Sequence, residues 1–202
     1  MKNTLPFTET RLLDLIEKES RRMTFNANSP IMGANQLVYF IPIVTKGCIR
    51  VLKENENGTD IFLYHINKGE TCISALYCCQ TGNSSFVKSV AEGDTEVLLI
   101  PANFIEDWMK FPEWKNFIYQ AGKNRFDELL NVIDLVTTKN MNDVLLHYLE
   151  SRCKALNTKE LKITHQKIAD ELGIQREAVS RLLYKLQDIN RIIISNHSIK
   201  IV

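Results

Sequence analysis

The chain has 202 residues, of which 45% are hydrophobic, 24% charged and 8% aromatic, with a formal net charge of +1. This is ordinary globular composition for one or two domains, which excludes a disordered or collagen-like chain. No apolar run approaches the roughly 18 residues of a membrane span, and the N-terminus lacks the apolar stretch of a secretory signal, so a cytoplasmic protein without a membrane partner is expected.

Thr8 to Ser20 carries Leu12, Leu13, Leu15 and Ile16 among charges at helical spacing, with Thr8 as a candidate cap. From about Arg21 to Ile100 the pattern changes to short strand-like runs. LVYFIPIV (37–44) is densely apolar, and Pro42 places it at an edge or bend. CIRVLKE (48–54) alternates, with Ile49 and Val51 opposite Arg50. Asn57-Gly58 then separates it from IFLYHI (61–66), a strong hairpin signal because both residues tolerate positive φ. FVKSVAE (86–92) and TEVLLIP (95–101) complete a set that suggests a small barrel, roll or sandwich.

Pro112 to Thr138 reads as one helix of about 40 Å. Ile118, Gly122, Arg125 with Phe126, Leu129, Val132 with Ile133, and Val136 recur along it at intervals of three and four. That length outspans a small domain, so part of the stripe is expected to meet a second copy of the chain. Packing within one chain is the alternative. Lys139-Asn140 marks a joint. A second helix from Met141 to Ala155 places Val144, Leu145, Tyr148 and Leu149 on one face. LKIT (161–164) reads as a short strand, and RIIISNHSIKIV (191–202) as two strands about a polar turn.

The charge is uneven. From Thr138 onward there are eleven Lys/Arg against seven Asp/Glu; before it, fourteen against seventeen. A basic final third hints at an anionic partner. Within it, Thr164 can cap a helix from His165 to Leu172, and Gly173 can end it. A second helix runs from about Gln175 to Asp188. Ile168, Leu172, Ile174, Val179 and Leu182 point inward, with Ala169 small at the crossing. This is the pattern of a helix-turn-helix, whose second helix enters the DNA major groove. Arg176, Glu177, Ser180 and Arg181 sit near the start of that helix. Arginine donates twice to guanine, and glutamate accepts from cytosine. Thr164, Gln166 and Lys185 are candidate phosphate contacts. A plain i,i+4 ion pair between Glu177 and Arg181 is the other reading of those two residues.

The chain resembles the Crp/Fnr family of bacterial transcription regulators over nearly its whole length. The likeness is carried by ITHQKIADELGIQREAVSRLL (163–183), VTKGCIRVLKENENGTDIFLYHINKGE (44–70) and TEVLLIPANF (95–104), and by the element order. It implies an α+β chain in three parts. Residues 1–111 form an effector-sensing β-roll, cupin-like and similar to a cyclic-nucleotide-binding domain. Residues 112–138 form a dimerisation helix, and residues 139–202 a winged helix-turn-helix. It implies a homodimer that sets two recognition helices about one DNA turn apart on a pseudo-palindrome with a TGA-like core. Arg176, Glu177, Ser180 and Arg181 would then read bases, Glu177 through cytosine and Arg181 through guanine. Thr164 and Gln166 match phosphate-contacting positions, and His165, which stands where an arginine is common, is a further candidate phosphate contact. Double-stranded DNA and a second copy are the implied partners, with RNA polymerase a further candidate.

The resemblance leaves the effector open. Cyclic-nucleotide members carry a Gly-Glu pair followed by Arg-Ser or Arg-Thr. Here Gly69-Glu70 remains only as a strand-end turn, and Lys88-Ser89 is the nearest match to the second motif, which argues against cyclic AMP. No cysteine precedes Cys48, which argues against the N-terminal iron–sulfur arrangement.

The five cysteines (Cys48, Cys72, Cys78, Cys79 and Cys153) are odd in number and contain no CxxC, so neither a disulfide framework nor a zinc motif is expected. Cys72, Cys78 and Cys79 cluster within eight residues. They are either sensing residues, by thiol redox chemistry or haem binding, or small buried hydrophobes. His65, His147 and His197 have no ligand-like spacing to them. An enzyme built on a cysteine and His65 would lack any nucleophile elbow, phosphate loop or paired carboxylates, so no catalysis is expected. A ligand-binding or interaction module that no longer reads DNA is the alternative function.

Overall fold

A computed structural model describes residues 5–55, 58–138, 140–195 and 198–202, without the side chains of 131–138. Asn57, Lys139 and His197, and the side chains of Val132, Ile133 and Val136, therefore lie outside the described residues. By contact, the chain divides into two compact units. One runs to Val51 and resumes over Ile66–Asp127; the other joins Leu52–His65 to Glu128–Val202.

The first unit opens with helix α1 (Thr10–Glu19), which buries Leu12, Leu13 and Ile16. Thr8 does not cap it. The capping position is Glu9, without a side-chain bond. The Thr8 hydroxyl and the Thr8 and Glu9 amides instead donate to the Glu113 carboxylate. A carboxylate 105 residues away has replaced the local cap, because it accepts several donors at once.

Strands β1 (Arg21–Phe25), β2 (Pro30–Met32), β3 (Phe40–Lys46), β4 (Ile49–Glu54) and β5 (Asp60–Ile66) follow. Helix α2 (Ile73–Thr81) then interrupts before β6 (Lys88–Ala91) and β7 (Thr95–Pro101). They form two sheets, ordered β1-β7-β3 and β2-β6-β4-β5. β3 lies at an edge, where the missing N–H of Pro42 costs little, and its register shifts between Val44 and Lys46. β7 is the centre of its sheet and reads as a nearly continuous apolar run. Arg50 is buried together with Ile49 and Val51, and its guanidinium lies 3.2 Å from the Glu92 carboxylate. Gly47 turns β3 into β4 at φ +76°, and a Cβ there would stand 2.5 Å from the Asp94 carbonyl, so only glycine fits.

A short α3 (Phe104–Trp108) leads into α4 (Pro112–Thr138), with the boundaries expected. Trp108, Trp114 and Ile118 join Ile41, Ile43, Leu98 and Ile100 in the core of this unit. The Trp114 indole N–H donates to the Ile105 carbonyl at 3.2 Å.

The second unit contains α5 (Met141–Ala155), β8 (Glu160–Leu161), α6 (His165–Leu172), α7 (Arg176–Asp188), β9 (Ile192–Ser195) and β10 (Ser198–Ile201). Asn140 caps α5 by accepting from the Asn142 amide at 2.9 Å. The three strands form one antiparallel sheet, ordered β8-β10-β9. Leu145, Leu149, Ile168, Val179, Leu183 and Ile199 are the centre of its core. The chain is thus α+β, with a β-rich body, a long helix and a winged helix-turn-helix.

Candidate nucleic-acid interface

Thr164 starts α6 in extended conformation, and its hydroxyl accepts from the Lys167 amide at 3.1 Å. Gly173 ends the helix at φ +66°, a conformation that spares glycine the cost a Cβ would carry. The Ile174 amide then bonds back to the Ala169 carbonyl at 3.0 Å. This tight turn sets α7 across α6, with Ala169 buried at the crossing. α7 buries Val179, Leu183 and Leu186. The inward position expected of Leu182 is only half-buried. Because α7 begins at Arg176, the line 179–183–186 falls at the centre of its apolar stripe and 182 at its edge.

The opposite face carries the residues that the sequence marks as candidate base readers. Arg176, Glu177 and Arg181 are exposed. Glu177 and Arg181 make no ion pair with each other among the described residues, so both heads remain available. Ser180 is placed differently. It is half-buried, its hydroxyl donates to the Arg176 carbonyl at 3.2 Å, and it lies 2.9 Å from Nδ1 of His165. His165 is half-buried, and its pKa is lowered by burial and then by the Arg176 charge. Thr164, Gln166 and Lys185 are exposed, with the Gln166 amide donating to Asp170 at 2.7 Å.

One polar cluster beneath this surface went unnoticed in the sequence. Arg152 donates to Tyr148 Oη at 2.8 Å and to Glu171 Oε2 at 2.7 Å, and Tyr148 donates to the same oxygen at 2.7 Å. All three are buried. Burial, above all, holds the Tyr148 phenol protonated far above its ordinary range. The cluster ties α5 to α6. From β5, Phe62 meets the Tyr148 ring edge-on at 5.6 Å, and His65 Nδ1 lies 3.3 Å from Ser151 Oγ. The one available signal was the i,i+4 spacing of Tyr148 and Arg152. It carries no indication that Glu171 turns inward.

On α4, Ile118 is buried in the body and Gly122 and Arg125 are half-buried, while Phe126, Leu129 and Leu130 are exposed. In the body, Cys72 and Cys78 are buried and Cys79 half-buried. Cys72 Sγ accepts from the Ala75 amide at 3.4 Å, Cys78 donates to the Ser84 carbonyl at 3.6 Å, and Cys79 donates to the Val38 carbonyl at 3.2 Å. Burial raises the Cys78 pKa. Burial and the neighbouring Cys78 and Cys72 push Cys79 to about 11. These are thiols held in packing contacts. Among the described residues no group of three or more His, Cys, Asp or Glu is placed to hold a metal. No helix among them is long and apolar enough to cross a membrane.

Residues 143–202 match the Crp-like helix-turn-helix domain. The global nitrogen regulator of Nostoc sp. is 26% identical over 188 residues, 88% of this chain and 82% of its own. A solved Crp/Fnr-family transcriptional regulator of Eubacterium rectale superposes with a TM-score of 0.77 at 25% identity, over 96% of this chain and 90% of its own. The c-di-GMP-responsive global regulator of Xanthomonas campestris superposes at 0.78 with 14% identity, over 96% and 99%, a likeness of fold.

Proposed function

Because the chain is a DNA-binding transcription regulator of the Crp/Fnr type, we propose that it works in the cytoplasm as a homodimer joined along α4, and that it reads a pseudo-palindromic site. In this reading 1–111 is the sensing body, 112–138 the dimerisation helix and 139–202 the DNA-reading part. The observation that carries it is the exposed row Arg176, Glu177 and Arg181 on a helix whose other face buries Val179, Leu183 and Leu186. Arg181 takes guanine, Glu177 accepts from cytosine, and Arg176 borders them. Ser180 contributes a contact only by giving up its bond to the Arg176 carbonyl. Thr164, Gln166 and Lys185 bind phosphates and fix the register. α7 has no side-chain cap, so its first amides are left as further anion donors. His165 chiefly positions Ser180.

Dimerisation covers Phe126, Leu129 and Leu130, which a lone chain leaves in water. A ligand or redox event in the body then shifts the balance between dimers whose helices match the half-site spacing and dimers whose helices do not. RNA polymerase is the partner through which a bound dimer would act. The test is selection from random double-stranded DNA with the purified chain, reduced and mildly oxidised. Enrichment of a two-fold symmetric site supports the reading. Enrichment of half-sites alone, or of nothing in either state, favours a module that does not read DNA.

A further inference from the structure

The body contains a cavity of about 170 Å³, with walls from both sheets. Ile31, Met32, Ile49 and Ile66 line one side, and Phe40 and Leu99 the other. None of the thirteen lining residues is charged or a histidine. Of its polar groups, the Gln36 carbonyl oxygen is already bonded to the Gly33 amide at 3.1 Å and the Cys72 sulfur to the Ala75 amide. Ser89 lines the cavity, but the neighbouring Lys88 does not. Strand alternation turns Lys88 to the other face of β6, where it is only half-buried. The one cation that the sequence offered for an anionic ligand is therefore absent from the lining.

We infer that this cavity binds a small, uncharged, largely apolar molecule, with the Ser89 hydroxyl and the free Gln36 amide hydrogens as its polar anchors. The regulatory meaning of that site rests on the function proposed above. An ionised phosphate or carboxylate placed here would lose its water without gaining a cation, which costs several kcal/mol or more. An apolar ligand gains by leaving water. Size points the same way: an apolar cavity of roughly 150 Å³ accepts benzene, so this one suits a one- or two-ring compound and not a nucleotide.

The experiment is calorimetric titration of the full chain, without DNA, with indole and with indole-3-carboxylate, which differ by one carboxylate. The expected result is saturable indole binding at one site per chain, with the carboxylate roughly tenfold weaker or worse. Ile66→Phe fills the cavity and should abolish the indole signal. Leu99→Phe does the same from the other sheet, in case the first variant folds poorly. Absent indole binding, equal binding of the anion, or undiminished binding in a folded filled variant overturns the inference. Because no DNA is present, none of these outcomes depends on whether the chain reads a DNA site.

Discussion

His165 and Ser180 meet across the turn between α6 and α7, Nδ1 to Oγ at 2.9 Å. Ser180 spends its one proton on the Arg176 carbonyl, so its oxygen accepts, and His165 Nδ1 carries the hydrogen. In the neutral ring Nε2 is then an acceptor and cannot donate to a phosphate. On this ground we propose that neutral His165 braces α7 and makes no phosphate contact.

The brace has a pH signature. Burial and then the Arg176 charge lower the His165 pKa from 6.5. The unfolded chain therefore protonates there first as the pH falls. The His165 contribution is constant above the unfolded pKa, makes the fold less stable as pH drops through that value, and levels off once the folded ring also protonates. Urea unfolding of wild type and His165→Gln between about pH 8 and pH 5 checks this. The wild type should lose more stability on the acid side; parallel curves would assign the bond no role in titration.

Arg181→Ala should weaken binding to the selected site by about 1–3 kcal/mol while leaving random DNA almost unaffected, because base contacts specify and phosphate contacts do not. Arg181 is exposed, so the unfolding midpoint should hold. Lys185→Ala should weaken all sequences alike and reduce the slope of log affinity against log salt by about 0.9. Fluorescence anisotropy over a salt series separates the two. Equal losses on both DNAs for Arg181→Ala would remove it from base reading.

The recognition motif was readable in the sequence because it is local. Thr164, Gly173 and the apolar spacing of 168–186 specify cap, turn and crossing within about twenty residues. β7 was readable for the same reason. What escaped depends on distant partners. Glu113 replaces the cap expected of Thr8, Glu92 lets Arg50 stay buried, and Arg152 brings Glu171 inside. No periodicity marks such pairs. α2 escaped differently. Its Cys, Ser and Ala pack on several sides, so it has no amphipathic stripe.

The buried Tyr148–Arg152–Glu171 cluster makes a testable claim about stability. Arg152→Ala leaves the Glu171 carboxylate buried without its guanidinium partner, the half-exposed Lys167 lying farther off at 3.6 Å. It should destabilise the chain by about 3–5 kcal/mol. Replacing both partners, Arg152→Met with Glu171→Leu, should recover most of that loss, since the desolvation cost disappears with the charges. Denaturant unfolding of Arg152→Met, Glu171→Leu and the double variant closes the cycle. A double variant as weak as the sum of the singles would mean that the pair is not coupled.

The thiols of the body should react slowly. With a pKa near 11, Cys79 is almost wholly protonated at neutral pH, and the thiolate is the reactive species. Iodoacetamide labelling followed by mass spectrometry should modify Cys72, Cys78 and Cys79 in the native chain far more slowly than in urea. Rapid native labelling of any of the three would favour the sensing reading over packing.

The exposed stripe of α4 gives the last prediction. Leu129 is 55% exposed and Phe126 62% exposed in the single chain, and water contact at both is costly. Burying one such side chain gains about 1.5–3 kcal/mol. In a two-fold dimer each substitution acts twice. Leu129→Glu should therefore raise the dimer dissociation constant by about 100-fold or more, and site-specific DNA binding should fall with it, because one half-site holds a monomer weakly. Lys123→Ala on the same helix removes only an exposed pair with Asp127 at 2.6 Å, worth a few tenths of a kcal/mol, and should leave the dimer intact. Sedimentation equilibrium reads both variants directly. A Leu129→Glu chain that stays dimeric and binds its site normally would move the interface off this stripe.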